Sequence, residues 1–206
     1  MLAKQTYKVC RRLGAGVFDK CQTQKFVLSE ARHAKSQKRG GRRTVSDFAK
    51  QLLEKQRIRF AYGFSERQLR RYVEEANRVS ALGVDPITRM IEEIEMRLDN
   101  VVYRSGMARS RRAARQLVSH GHVLVNGVRS TIPSMKLKEG DIFALRTRTR
   151  GLPVADHIKT TLADAKQPTW IAFDTQALSG TVTARPTQGG TEMVGSVGSI
   201  LEYYSR

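Results

Sequence analysis

The distribution of charge constrains this chain more than any other feature of its 206 residues. Lys and Arg number 37 against 19 Asp and Glu, a formal charge of +18, and the excess lies in two blocks. Residues 1–80 hold 20 basic and 7 acidic residues and residues 101–150 hold 11 and 2, whereas 151–206 are close to neutral with 4 and 5. A compact chain charged in this way repels itself unless a polyanion neutralises it, which points to phosphate backbones or an anionic membrane face. No apolar run approaches the ~20 residues needed to cross a bilayer. Arginine dominates the second block and suits bidentate phosphate contacts, which favours nucleic acid. Apolar residues at 40% suffice for one or two small domains.

Residues 1–43 carry scattered apolar residues without a sustained period and end in Lys35, Lys38, Arg39, Arg42 and Arg43. This reads as an extended basic arm, assigned to 1–45, that orders on a partner. Three helices follow over 46–92. Ser46 can cap one running to about Tyr62, with Phe48, Leu52 and Leu53 on one face and Gly63 as its stop. Ser65-Glu66-Arg67-Gln68 has capping-box spacing, and Leu69, Tyr72, Val73, Ala76 and Val79 then recur at helical intervals. Asp85-Pro86 sets a cap before a proline at the first helical position of a third helix. Arg57, Arg59, Arg67, Arg70 and Arg71 lie between or opposite the apolar stripes and are expected to be free for a ligand.

From about Glu93 the pattern becomes a small α+β unit. A helix through Arg97–Arg104 precedes Ser110, which can cap a short helix over 111–119. At about 100° per residue, Arg111, Arg112 and Arg115 share one face, while Ala113, Ala114, Leu117 and Val118 share the other. Gly121 ends that helix, and His122–Val125 reads as a strand entering an Asn126-Gly127 hairpin turn. Further strands are expected at Met135–Leu137, Ile142–Arg146 and around Pro168–Phe173. The tail lacks basic charge but keeps aromatics, so it is expected to pack on protein, either the helical domain or a neighbour.

Recognisable enzyme chemistry is absent from the pattern. No phosphate-binding glycine loop and no Gly-x-Ser-x-Gly nucleophile elbow occurs. Glu92, Glu93, Glu95 and Asp99 share helix faces with Arg89 and Arg97 and read as surface ion pairs. Cys10, Cys21 and His33 supply at most three of the four ligands of structural zinc, so no metal is assigned. The two cysteines fit a reducing compartment.

Certain runs resemble a known family. Leu53-Glu54-Lys55-Gln56-Arg57, Tyr62-Gly63, Glu66-Arg67-Gln68 and Arg71-Tyr72 look like the helical domain of bacterial small-subunit ribosomal protein four. Arg97 to Arg104, Ala114 to His122, Val125-Asn126-Gly127 and Ile132-Pro133-Ser134 are similar to that family's RNA-binding domain, and Pro168-Thr169-Trp170 and Tyr204-Ser205-Arg206 extend the likeness nearly to the end. The resemblance implies an α+β fold in which a helical domain (46–92), completed by a C-terminal segment (156–206), receives an inserted α+β RNA-binding domain (93–155). It implies a non-enzymatic, cofactor-free primary binder of 16S rRNA that nucleates assembly of the body of the 30S subunit in the cytoplasm. It further implies a place beside small-subunit proteins three and five, near the channel through which messenger RNA enters, and a part in decoding accuracy shared with protein twelve.

Residue by residue, the family's RNA-contacting helix falls on Arg109, Arg111, Arg112, Arg115 and His120, and the basic arm on Lys35–Arg43. Lys8, Arg11, Arg12, Lys55, Arg104, His122 and Asn126 complete the expected RNA-facing set. Zinc-bearing members have four N-terminal cysteines. Here Cys10 and Cys21 match the second and third, while Tyr7 and Phe26 take the outer places. RNA-modifying enzymes and ribosome-associated stress factors carry a similar RNA-binding module. The first need a sizeable catalytic domain, and no segment here could be one. The second lack the Glu54–Arg71 signature.

Overall fold

The computed structural model describes residues 6–36, 46–151, 155, 158, 167–187 and 193–205. It divides into two compact units, Met1–Arg78 with Met193–Arg206, and Val79–Glu192.

In the first unit, α1 (Tyr7–Leu13) and α2 (Gln24–Ser36) occupy much of the stretch expected to be an extended arm. Two 3-10 turns, Ala15–Val17 and Asp19–Gln22, join them. The apolar spacing looked aperiodic because four short elements, each with its own phase, share a single cluster. Cys10, Leu13, Val17, Phe18, Cys21 and Phe26 are all buried. The cysteines, read as thiols, form a disulfide with Cα atoms 5.7 Å apart, and the rings of Tyr7 and Phe26 lie 5.5 Å from each other. Lys38, Arg39, Arg42 and Arg43 fall outside the described residues, as does the side chain of Lys35.

The helical part follows its caps. Ser46 Oγ accepts from Ala49 N at the start of α3 (Asp47–Tyr62), and Gly63 closes it with φ +68°. Before α4 (Glu66–Ser80), Ser65 Oγ accepts from Gln68 N while Gln68 Oε1 accepts from Ser65 N, the reciprocal capping box. The C-terminal helix Val197–Tyr204 packs along α3, with Ile58 and Ile200 both fully buried. Phe48 stacks on Tyr203, and Gln51 Nε2 donates to Glu202 at 2.9 Å.

Lys55, expected at an RNA surface, is instead buried at this seam. Its ammonium donates to Glu66 at 2.7 Å and sits 4.4 Å from the Tyr203 ring. Burial raises the Glu66 carboxyl's proton affinity, but hydrogen bonds from Lys55, Tyr204 and Arg59 outweigh it and hold the pKa at about 2. Burial and the bond to Glu66 push the Tyr204 hydroxyl upward. A carboxyl depressed on folding stabilises above its unfolded value, about 4.5, and loses that contribution as pH falls toward 2. The unfolding midpoint should therefore drop across that window by more than in Glu66→Gln. The difference should be about 1 kcal/mol after allowance for Glu66's exposure, and denaturant titrations at stepped pH would measure it.

The second unit opens with α5 (Pro86–Glu95), whose first turn is capped by Asp85 through Ile87 N and Thr88 N. It continues through α6 (Leu98–Arg104), α7 (Arg111–Ser119), β1 (Val123–Val125), β2 (Val128–Ser130), β3 (Ile142–Leu145), α8 (Thr147–Arg150), β4 (Ile171–Asp174) and β5 (Ser179–Val182). The strands form one antiparallel sheet in the order β2-β1-β3-β5-β4. Residues Met135–Leu137, expected as a strand, make one bridge, Lys136 to Arg97. That segment is occupied in tying down 96–99, through Leu98 N to Met135 O and Leu137 N to Met96 O.

The C-terminal segment divides. The β4–β5 hairpin extends the sheet through β3, and only Met193–Arg206 belongs to the helical unit. Gly180 makes the junction possible, because a Cβ there would lie 2.6 Å from Phe143 Cζ and 2.7 Å from Phe173 Cδ2. The core beneath joins Leu98, Val101, Ala114, Val118, Phe143 and Leu145 with Trp170 and Val182. The acidic residues read as surface pairs are mostly interior: Glu93, Glu95 and Asp99 are buried, with cations drawn onto them. No helix among the described residues is long and apolar enough to cross a membrane.

Candidate nucleic-acid interface

α7 presents a cationic face in the second unit. Ser110 Oγ accepts from Ala113 N to start it, and Ala114, Leu117 and Val118 bury while Ala113, expected with them, is exposed. Arg109 and Arg112 are exposed. Arg111 is half-buried, its Nε donating to Asn100 Oδ1 at 3.0 Å and its guanidinium lying 4.5 Å from the centre of the Tyr103 ring. Arg115 is also half-buried, with Nη1 3.8 Å from Asp99 Oδ2. Arg111 is therefore tied from within, Arg115 lies close to a buried carboxylate, and Arg109 and Arg112 reach outward.

Arg104 lies beneath this face, not on it, since Nε and Nη2 both donate to the fully buried Glu95 at 3.0 and 2.8 Å. Asn126 is likewise committed to the fold. At φ +49° it forms the hairpin turn with Gly127, its Nδ2 donates to Asp141, and its Oδ1 accepts from Ile142 N. His120 is exposed at the end of α7, and His122 is half-buried with Nδ1 3.0 Å from Thr149 Oγ1. Burial and the positive charge of His120, Arg129 and Arg146 lower the His122 pKa. Neutral imidazole is thus favoured there while cations surround it.

Arg129 and Arg146 are functional candidates that the sequence reading passed over. Arg129 faces solvent opposite Leu124 in the sheet register, its Nη2 3.3 Å from His120 O, so it prolongs the α7 surface onto the hairpin. It folds against Gly121, whose Cβ would fall 2.1 Å from Arg129 Nε. The signal was available: strand alternation sets Leu124 and its partner on the open face of the sheet, and 129 is that partner.

In the first unit, α4 separates its faces cleanly. Leu69, Val73 and Ala76 are buried, while Arg67, Arg70 and Arg71 are exposed on the opposite side, with Arg70 paired to Glu74 at 3.0 Å. Lys8 and Arg12 are exposed on α1, and Arg11 donates to Ser29 Oγ at 3.2 Å. Arg57 and Arg59, expected to be free, are structural ties. Arg57 Nε donates to Leu13 O and Nη1 to Glu54, both at 2.7 Å, and Arg59 pairs with Glu66 at 2.9 Å. No cluster of three or more metal-ligating side chains occurs among the described residues.

These surfaces coincide with two recognised sequence domains. A model described as the ribosomal protein S4/S9 N-terminal domain matches residues 2–92, and one described as the S4 domain matches 96–143. Small ribosomal subunit protein uS4 of Pelotomaculum thermopropionicum is 37% identical over 202 residues, covering 97% of this chain and 96% of that one. The uS4 protein of Nitratidesulfovibrio vulgaris is 38% identical with the same coverage. That of Roseiflexus sp. is 41% identical over 203 residues, again covering 97% and 96%. End-to-end similarity at this level, across both units and the junction between their domains, means that the chain belongs to the uS4 family of small ribosomal subunit proteins.

Proposed function

We propose that this protein is a structural, RNA-binding constituent of the small ribosomal subunit that binds 16S rRNA directly and nucleates assembly of the subunit body. Its family supports the ribosomal role. The observation that carries the mode of action is α7, whose apolar side is sealed into the core while its arginines crowd the other side, with Arg111 tied to the buried Asn100. Such a surface engages phosphates and shape more than base edges, as suits folded RNA. The exposed arginines of α4 and the cations of α1 offer a second contact on the other unit. The protein performs no bond-making step in this reading. It works in the bacterial cytoplasm on the ribosome, beside proteins three and five near the channel through which messenger RNA enters, and contributes to decoding accuracy.

The decisive experiment is chemical probing of full-length 16S rRNA with this protein as the sole addition. Protection of a discrete junction at protein concentrations near the dissociation constant is expected. Diffuse protection, or protection that requires other ribosomal proteins first, would reject the primary-binder role.

A further inference from the structure

The polar interior beneath α7 is more than a fold device. Asn100 is buried, and its Nδ2 donates to Glu95 Oε2 and lies 3.4 Å from Glu95 O, so its amide can take only one orientation. That orientation turns Oδ1 toward α7, where it accepts from Arg111 Nε at 3.0 Å. Glu95 is in turn fixed by the two donors of Arg104. A parallel chain runs through the adjacent residue. Arg97, almost fully buried, grips Asp99 with Nε and Nη2 at 3.0 and 2.7 Å, and Arg115 Nη1 approaches the same carboxylate at 3.8 Å, buried and without a hydrogen-bond partner. Arg111 and Arg115 stand one turn apart on α7, and Asn100 and Asp99 are neighbours on α6.

We propose that Asn100 is a positioning residue for RNA binding, holding the guanidinium plane of Arg111 in a fixed attitude before phosphate arrives. A free arginine side chain loses most of its rotamer freedom when it forms a bidentate phosphate contact. Anchoring one edge through Nε, with the Tyr103 ring beneath the Arg111 plane, removes that loss in advance. Arg109 and Arg112, exposed on the same face, have no such support from α6 and serve as ordinary mobile cations. The inference rests on the RNA-binding reading above and adds a division of labour to it.

A double-mutant cycle on the full chain, read as dissociation constants for the 16S rRNA transcript at one salt concentration, tests it. Arg111→Ala should weaken binding about tenfold and Asn100→Ala about fivefold, yet the double variant should match Arg111→Ala within about twofold. The same Asn100→Ala change combined with Arg112→Ala should be additive. Losses that multiply to about fiftyfold for the Arg111 pair would overturn the proposal, as would equal coupling to Arg112, because both describe a tie that serves only the fold.

Should Asn100→Ala fail to fold, Arg111→Lys decides on its own. It keeps the charge but loses the Nε donor and the planar stack, so about a fivefold weakening is expected and an unchanged constant is fatal. A wild-type protein without specific affinity for 16S rRNA would defeat the RNA-binding reading itself and this proposal with it. That result is distinct from intact binding with an additive cycle.

Discussion

Raising monovalent salt from about 50 to about 200 mM should weaken binding of the full chain to 16S rRNA by about 10³- to 10⁵-fold, with a log–log slope of roughly −6 to −9. The number rests on which cations can reach phosphate. Arg57 and Arg59 are bonded to partners within the fold, and Arg104 and Lys55 are bonded to interior or seam carboxylates, so none of these four adds to the slope. Arg67, Arg71, Arg109, Arg112, Arg129, Lys8 and Arg12 are exposed, and Arg111 and Arg115 are half-buried on α7. Contact with on the order of 8–10 phosphates gives the stated slope. A filter-binding series with a slope shallower than about −3 would show that neutral contacts carry the complex.

Asp99→Ala should destabilise the second unit by about 3–5 kcal/mol, because it strands Arg97 without its carboxylate in an interior that excludes water. Arg97 is 1% exposed and spends two donors on Asp99. The backbone beside it is held as well, since Asp99 N donates to Pro133 O and Leu98 N to Met135 O. Exchanging both partners for apolar residues of similar volume should cost far less than removing one, because no charge is then left alone. Denaturant unfolding of the two variants would separate these cases. A loss below about 1 kcal/mol in Asp99→Ala would mean that water reaches Arg97.

Legibility followed locality. Ser46, the Ser65/Gln68 pair, Asp85-Pro86, Ser110 and the Asn126-Gly127 turn each act within a few residues, and the structure uses each where the sequence placed it. The fold class was legible too, because apolar periodicity and the family resemblance pointed the same way. Long-range partners were not. Lys55 becomes a buried partner of Glu66 only because a helix more than a hundred residues later lies across it, and no local pattern distinguishes such a lysine from a solvated one. β4 falls in the strand expected around Pro168–Phe173, but its partner β5, poor in charge and containing Gly180, reads as tail until Phe143 supplies the ring that its glycine accommodates. On α7, periodicity identified the cationic face but could not tell Arg111, tied to α6, from the exposed Arg109 and Arg112, since that tie comes from a different helix.

The helical unit is discontinuous, built from Met1–Arg78 and Met193–Arg206 with the whole sheet-bearing unit between. During translation α3 therefore emerges long before the helix that covers it, and Lys55, Glu66 and Ile58 must wait for Val197–Tyr204 to leave the exit tunnel. The unit encoded in the middle can mature first, reversing the order of synthesis. A chain cut short before Val197 would leave the α3 face around Ile58 uncovered, the kind of apolar surface that chaperones and proteases survey.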